Sequence, residues 1–182
     1  MKSALAAGLL LAVTGIAAPL FAQGPGGDSW FRAAPLNKGY SIETPCSEAK
    51  VTAQSVRPMV LNGQTLDLGT NVSCIIDEMT FMSGILSVSA SEVGDDNLFD
   101  VVVNGLSQRS IRPEVSLTQT NVAGRRAILS REAQGSEIAQ TGVIELSNRE
   151  LLMLMSGGKP TGGEDVVAMI DRHVASLKVA QK

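Results

Sequence analysis

Aromatic residues are scarce in this 182-residue chain, which has one Trp, one Tyr and four Phe, 3% of its length. With a formal net charge of −3 as well, the chain lacks the basic, stacking surface on which nucleic acids bind, and nucleic acid is excluded as a partner. Histidine occurs once, as His173, so neither a two-histidine metal site nor a histidine relay can be assembled. Neither a G-x-S-x-G elbow nor an H-E-x-x-H pair is present. Cysteine occurs only at Cys46, in "ETPCSEAK", and Cys74, in "NVSCIID".

The one long apolar run is at the start. "MKSALAAGLLLAVTGIAAPLFA" places Lys2 before an uncharged stretch reaching Ala18, then Pro19 and the small Ala22. This is the order of a secretory signal cut before Gln23, although Leu20 stands where a small residue is usual. Its strongly apolar part, about fifteen residues, is short of the roughly 20 that span a bilayer as a helix. An uncleaved membrane tether is the alternative. No cysteine follows the run, which argues against a lipid-modified bacterial lipoprotein. Loss of Lys2 with the leader takes the net charge to −4 and leaves about 160 residues, enough for one domain with its own core.

An exported chain passes through an oxidising compartment, where two cysteines read first as a bridge. Joining Cys46 to Cys74 closes a loop of about 29 residues, which the chain-entropy account values at about 3.6 kcal/mol. The competing readings are two free thiols or a nucleophilic Cys46. The last needs a nearby base or cation to lower its pKa, and nothing local supplies one.

Residues 23–29, "QGPGGDS", form a Gly/Pro-punctuated lead-in. In "GYSIETP", Tyr40, Ile42 and Thr44 alternate with Ser41 and Glu43, the period of a strand with one buried face, and Pro45 ends it just before Cys46. "VTAQSVR" runs into Pro58, and Asn62-Gly63 signals a tight turn. In "NVSCIID", Val72, Cys74 and Ile76 share a side, which would turn Cys74 inward toward Cys46. "TFMSGILSVSASEV" sets Met82, Leu86, Val88 and Ala90 against Phe81, Ser83, Ser87 and Ser89, a half-exposed strand. The period then becomes helical, with Leu98, Val101, Val102 and Leu106 on one stripe and Asp95 or Asp96 as N-cap. "EVSLTQTNV", "RRAILSREA", "SEIAQTGVIEL" and "RELLMLMS" return to strands, the last apolar on both faces as in a central strand. Ser147-Asn148 is the turn before it. "TGGEDVVAMIDRHVASLK" closes the chain as a helix with a Thr161/Glu164 capping box, a Val166, Ile170, Val174, Leu177 stripe and Lys178 at its C-terminal end. The expected fold class is α+β: one domain over residues 30–179, with a mid-chain and a C-terminal helix packed on a largely antiparallel sheet.

"GYSIETP", then "GRRAILSREA" followed by "IELSNRELLMLMSGG", then "IDRHVASLK", resemble the PsbP-like fold family in its opening strand, glycine-started hairpin and closing helix. The resemblance spans residues 30–179 and rests on apolar spacing. It implies an antiparallel sheet flanked by helices, acting as a non-enzymatic binding or assembly module. The Pro-x-Trp element of many relatives is missing, and no functional residue transfers.

Four candidate sites arise. His173 falls beside the apolar stripe of the closing helix, a packing position, with Asp171 two residues away on another face and so a poor orienting partner. Glu92, Asp95, Asp96, Asn97 and Asp100 are rich in oxygen, but their spacing is not that of a calcium loop and suits helix capping. Arg109, Arg112, Arg125, Arg126 and Arg131 concentrate positive charge mid-chain. Arg109, Arg112 and Arg126 form the candidate patch for an anionic partner, although interleaved Glu114 and Glu132 suit ordinary pairing and strand alternation separates Arg125 from Arg126. "SGGKPTGG" breaks the phosphate-loop order at Pro160. Asn71-Val72-Ser73 fits the glycosylation triplet, a pattern that chance supplies often. The sequence thus points to an exported, periplasmic or secreted, non-catalytic binding or accessory protein with no cofactor or metal, acting on a protein or envelope component. A hydrolase or thiol enzyme using His173 with Cys46 or a serine is the alternative.

Overall fold

The computed structural model describes residues 30–61, 64–76, 78–88, 97–109, 115–159 and 165–180. Their elements, in chain order, are β1 (Phe31–Ala33), β2 (Tyr40–Thr44), β3 (Lys50–Leu61), β4 (Gln64–Ile76), β5 (Met79–Ser87), α1 (Leu98–Arg109), β6 (Val115–Val122), β7 (Arg125–Gln134), β8 (Glu137–Ser147), β9 (Glu150–Gly158), α2 (Val166–Ala175) and β10 (Lys178–Val179). All the strand pairings are antiparallel. A seven-stranded sheet runs β3-β4-β5-β9-β8-β7-β6, and a small one runs β1-β2-β10. The class is α+β, as the periodicities imply. No helix among the described residues is long and apolar enough to cross a membrane.

Two apolar clusters divide the large sheet by strand parity. Val72, Cys74, Phe81, Ile144, Leu152 and Leu154 meet Val166, Ile170 and Val174 of α2 together with Phe31, Tyr40 and Ile42 of the small sheet. Leu66, Leu86, Ile128, Val143, Leu151 and Met153 meet Leu98, Phe99 and Val102 of α1. β9, with Leu151 to Leu154 all buried, contributes to both, which is why its sequence is apolar on both faces.

β2 follows its alternation residue by residue, with Tyr40, Ile42 and Thr44 buried. Several details depart from the sequence reading. β3 continues through Pro58 because it is the edge strand, where a missing N–H costs no ladder bond. β5 is central rather than half-exposed: Phe81 and Ser83 are buried on one face and Leu86 on the other. Ser83 is tolerated there because its hydroxyl shares a 2.9 Å hydrogen bond with Tyr40 Oη. Gly84 allows β4 to approach, since a Cβ on it would lie 2.1 Å from the Gly69 carbonyl oxygen, beside the bulge between Thr70 and Val72. The β8–β9 turn falls on Asn148 and Arg149, one residue later than expected.

Helix boundaries also shift. Asn97 Oδ1 accepts from Phe99 N–H at 2.8 Å and serves α1 as its first-turn acceptor, while Asp95 and Asp96 lie outside the described residues. Asp165 caps α2 by accepting from Ala168 N–H at 3.1 Å, and Thr161 and Glu164 lie outside the described residues. α2 stops at Ala175 instead of running through Leu177. Ser176 Oγ accepts from Glu43 N–H at 2.8 Å and donates to the His173 carbonyl at 2.7 Å. The chain then turns to pair Lys178 and Val179 with Ser41 and Tyr40, so Lys178 sits in β10 rather than at a helix end.

Candidate functional site

α2 lies on one face of the large sheet and leaves a groove beside it over the β6–β8 end. β6 and β7 turn at Ala123 and Gly124, both with positive φ, 51° and 74°. Thr120 and Val122 of β6, Leu129 of β7 and Gln140 of β8 fall on the α2 face and line the floor, while Asp171, Val174 and Ala175 of α2 form the wall. The groove holds about 350 Å³. At its base Arg131 Nε donates to Gln140 Oε1 at 2.7 Å, and the same guanidinium pairs with Asp171 Oδ1. Arg131 and Gln140 are direct cross-strand partners, which places the pair.

Gln140 is only 4% exposed, and its Nε2 has no hydrogen-bond partner among the described residues. The amide cannot be turned over to relieve this, because Arg131 Nε–H can only donate and so requires the oxygen. A buried amide donor without an acceptor costs about 1–3 kcal/mol. In "SEIAQTGVIEL" Gln140 occupies the inward set with Ile138 and Ile144; an amide among apolar residues at period two was the available signal, and the sequence reading passed over it. Asp171, weighed there only as a partner for His173, pairs instead with a residue 40 positions away.

His173 is fully buried rather than at the edge of the stripe. Its Nδ1–H donates to the Glu43 carbonyl at 2.6 Å, and the Phe81 ring stands edge-on at 5.2 Å. Burial pushes its pKa down to about 4, against a smaller upward pull from the backbone of Glu43 and Met82. Nε2 closes no hydrogen bond among the described residues, so none of their serine hydroxyls is held on the ring. The ring is neutral and enclosed at physiological pH, the opposite of a general base open to substrate.

Cys46 and Cys74 form a disulfide with Cα atoms 5.9 Å apart, so the thiol-enzyme alternative has no thiolate. Of the arginine patch, Arg126 bonds Glu145 through Nε at 2.7 Å and Asp100 through Nη1 at 3.2 Å, and lies 4.8 Å over the Phe99 ring. Those carboxylates raise its pKa, and Arg126 in turn holds Glu145 below the usual carboxylate range. Its charge is used to seat α1 on the sheet. The side chain of Arg109 and all of Arg112 lie outside the described residues. Arg125, on the opposite face from Arg126, lines a separate cavity of about 210 Å³ with Lys38, Glu150, Ile85, Leu146 and Val179.

Among the described residues no three His, Cys, Asp or Glu side chains gather as metal ligands. Asn97 and Asp100 of the acidic segment serve capping and the Arg126 pair, while Glu92, Asp95 and Asp96 lie outside the described residues. Lys159 of the glycine loop pairs with Glu137 at 3.2 Å. The sequence also contains two Ser-x-x-Lys quartets, Ser47–Lys50 and Ser156–Lys159. On a helix such residues would face together, but Ser156 is buried in β9 and Lys159 lies past the end of that strand. Asn71 of the glycosylation triplet is fully buried, with its Oδ1 accepting from Ile85 N–H at 3.1 Å, so the folded chain offers it to no transferase.

No family model matches the chain, and no curated protein matches it.

Proposed function

We propose that the chain is an exported, non-catalytic binding or accessory module: one PsbP-like α+β domain over residues 30–179, periplasmic or secreted after cleavage near Ala22. The observation that carries the binding role is the Gln140 amide, buried at the base of an open groove with its donor unused. Proteins pair the large majority of such groups, and one that lines a groove can find its partner in what occupies the groove. The disulfide supports the compartment, since such bridges persist where the surroundings oxidise. The enclosed, neutral His173 supports the non-catalytic reading.

The test is a photoreactive side chain placed in the living cell at Asn121 or Ala175, the exposed lips of the groove, and at the exposed Glu78 beyond β4 as control. Adducts from the two groove positions and none from Glu78 are expected. No adduct from the groove, or equal yields from all three positions, refutes the role. Fractionation of the same cells, with mobility compared with the full precursor, tests the compartment and the cleavage. A chain that stays in the membrane fraction at precursor size refutes both and favours the tethered alternative.

A further inference from the structure

We infer that β6 is an interface between two copies of this chain: their β6 strands pair antiparallel about a two-fold axis at Thr118 and join the two large sheets into one. The inference goes beyond the groove and does not rest on what occupies it.

β3 and β6 are the edges of the seven-stranded sheet. An edge presents unpaired backbone N–H and C=O groups to any extended chain, and proteins guard such edges with charge, proline or a bulge. β3 carries all three: Lys50 and Arg57, then Pro58, and a shift of register between Val51 and Ser55. β6 carries none. Its sequence, "VSLTQTNV", has neither charge nor proline, and its register against β7 is unbroken from Val115 to Val122. Ser116, Thr118, Gln119, Thr120 and Asn121 are all exposed.

The turn between β6 and β7 fixes which backbone groups are free. Its two residues, Ala123 and Gly124, both have positive φ, so Val122 and Arg125 flank a type I′ turn and exchange both their backbone hydrogen bonds. Alternation then directs the N–H and C=O of Ser116, Thr118, Thr120 and Val122 to β7, and those of Val115, Leu117, Gln119 and Asn121 away from the sheet. No backbone of the described residues bonds that outer side.

Such a row of groups is met by another strand, and the side chains select a second copy of this one. A two-fold axis normal to the sheet keeps each face on its own side, so only residues of the same parity can stand opposite each other. With the axis at Thr118, Val115 of one copy faces Asn121 of the other and Leu117 faces Gln119. Every outward residue is then paired, giving about eight hydrogen bonds. On the α2 face Thr118 meets Thr118 and Ser116 meets Thr120, hydroxyl against hydroxyl, a favourable cross-strand pairing. A charge at Thr118 would be set against its own copy, and the strand has no charge at all. An axis at Gln119 places Val115 opposite the turn residue Ala123 and forfeits bonds, which favours Thr118.

The experiment measures the mass of the purified, disulfide-bonded chain by sedimentation at rising concentration. A monomer–dimer equilibrium with a Kd of about 1–100 μM is expected. Thr118→Lys and Thr118→Glu each bring like charges together at the axis and should weaken the dimer by about tenfold or more. Mixing the two variants sets Lys against Glu and should restore a dimer close to the parent's Kd, a recovery that misfolded chains would not show. Gln119→Pro, which removes an outward N–H that β7 does not use, should weaken the dimer as well. A parent that stays monomeric at about 500 μM, a dimer indifferent to both charges, or a mixture that stays monomeric overturns the inference. A monomeric parent whose Gln119, made photoreactive in the cell, joins a different protein gives the edge to another occupant and also overturns it. Adducts of two copies through Asn121 report this edge, while Ala175 on α2 reports the groove.

Discussion

Acidification should unfold this protein earlier than its carboxylates alone require, because His173 must gain a proton that its burial resists. The ring has a pKa of about 4 in the fold, against an ordinary value of 6.5. Between those values the unfolded chain binds the proton and the folded chain does not, so stability falls as pH falls. The contribution is fully present above about pH 6.5 and is lost progressively toward pH 4. From pH 7.5 to 5.0 the expected loss is about 2 kcal/mol, reaching about 3 kcal/mol below pH 4. His173 is the only histidine, and ordinary carboxylates titrate below this window, so the interval from pH 7 to 5 isolates it. Urea unfolding at half-unit steps over that interval measures the slope. His173→Gln should lower stability at every pH, since it removes packing against Phe81, but should flatten the slope. A parent whose stability is level from pH 7 to 5, or a variant with the parent's slope, refutes the reasoning.

Tyr40, the only tyrosine, is pushed up to about 12 by burial, with its bond to Ser83 a smaller opposing influence. Phenolate absorbance should therefore rise near pH 12 in the folded chain and near pH 10 in urea; a folded midpoint near 10 contradicts the burial. Replacing Cys46 and Cys74 together by alanine should remove about 3–4 kcal/mol by urea unfolding, the loop-closure value for a separation of 28 residues, and unchanged stability refutes the bridge as a constraint. Gly84→Ala should cost about 3 kcal/mol or more, because the rigid Gly69 backbone stands where the Cβ must go; a neutral variant would mean that β4 and β5 part freely.

The sheet was legible wherever alternation and burial coincide. Tyr40, Ile42 and Thr44 in β2, and Val72 and Cys74 in β4, are apolar or small at every inward position, and each is buried. β5 was misread because Ser83 is polar by composition but satisfied by Tyr40, 43 residues away, and local pattern cannot carry that contact. The end of α2 was misread for a related reason. Leu177 continues the apolar spacing and is buried, but Ser176 joins the helix end to Glu43 and turns the chain into β10. The site was the least legible part. Gln140 could have been found as an amide in an apolar row, but Arg131 and Asp171 meet across 40 residues, and only the packing of α2 on β8 and β9 brings them together.

That packing also separates the groove from other places where polar atoms go unpaired. Three buried side chains among the described residues carry such an atom: Asn71 Nδ2, His173 Nε2 and Gln140 Nε2. Asn71 sits at the β4 bulge with its oxygen on Ile85, and its cost is that of forming the bulge. His173 is closed in by Phe81 and tied to Glu43, so nothing from solvent reaches its free nitrogen, and its penalty appears as acid lability. Neither residue lines the groove or the Lys38–Arg125 cavity. Gln140 differs in lining an open groove, with its Nε2 covered but next to the space an occupant would take. An occupant that shifts the side chain can therefore bring an acceptor to the unmet donor, and recovery on binding, closed to the other two, is what makes a buried vacancy a recognition element rather than only a strain.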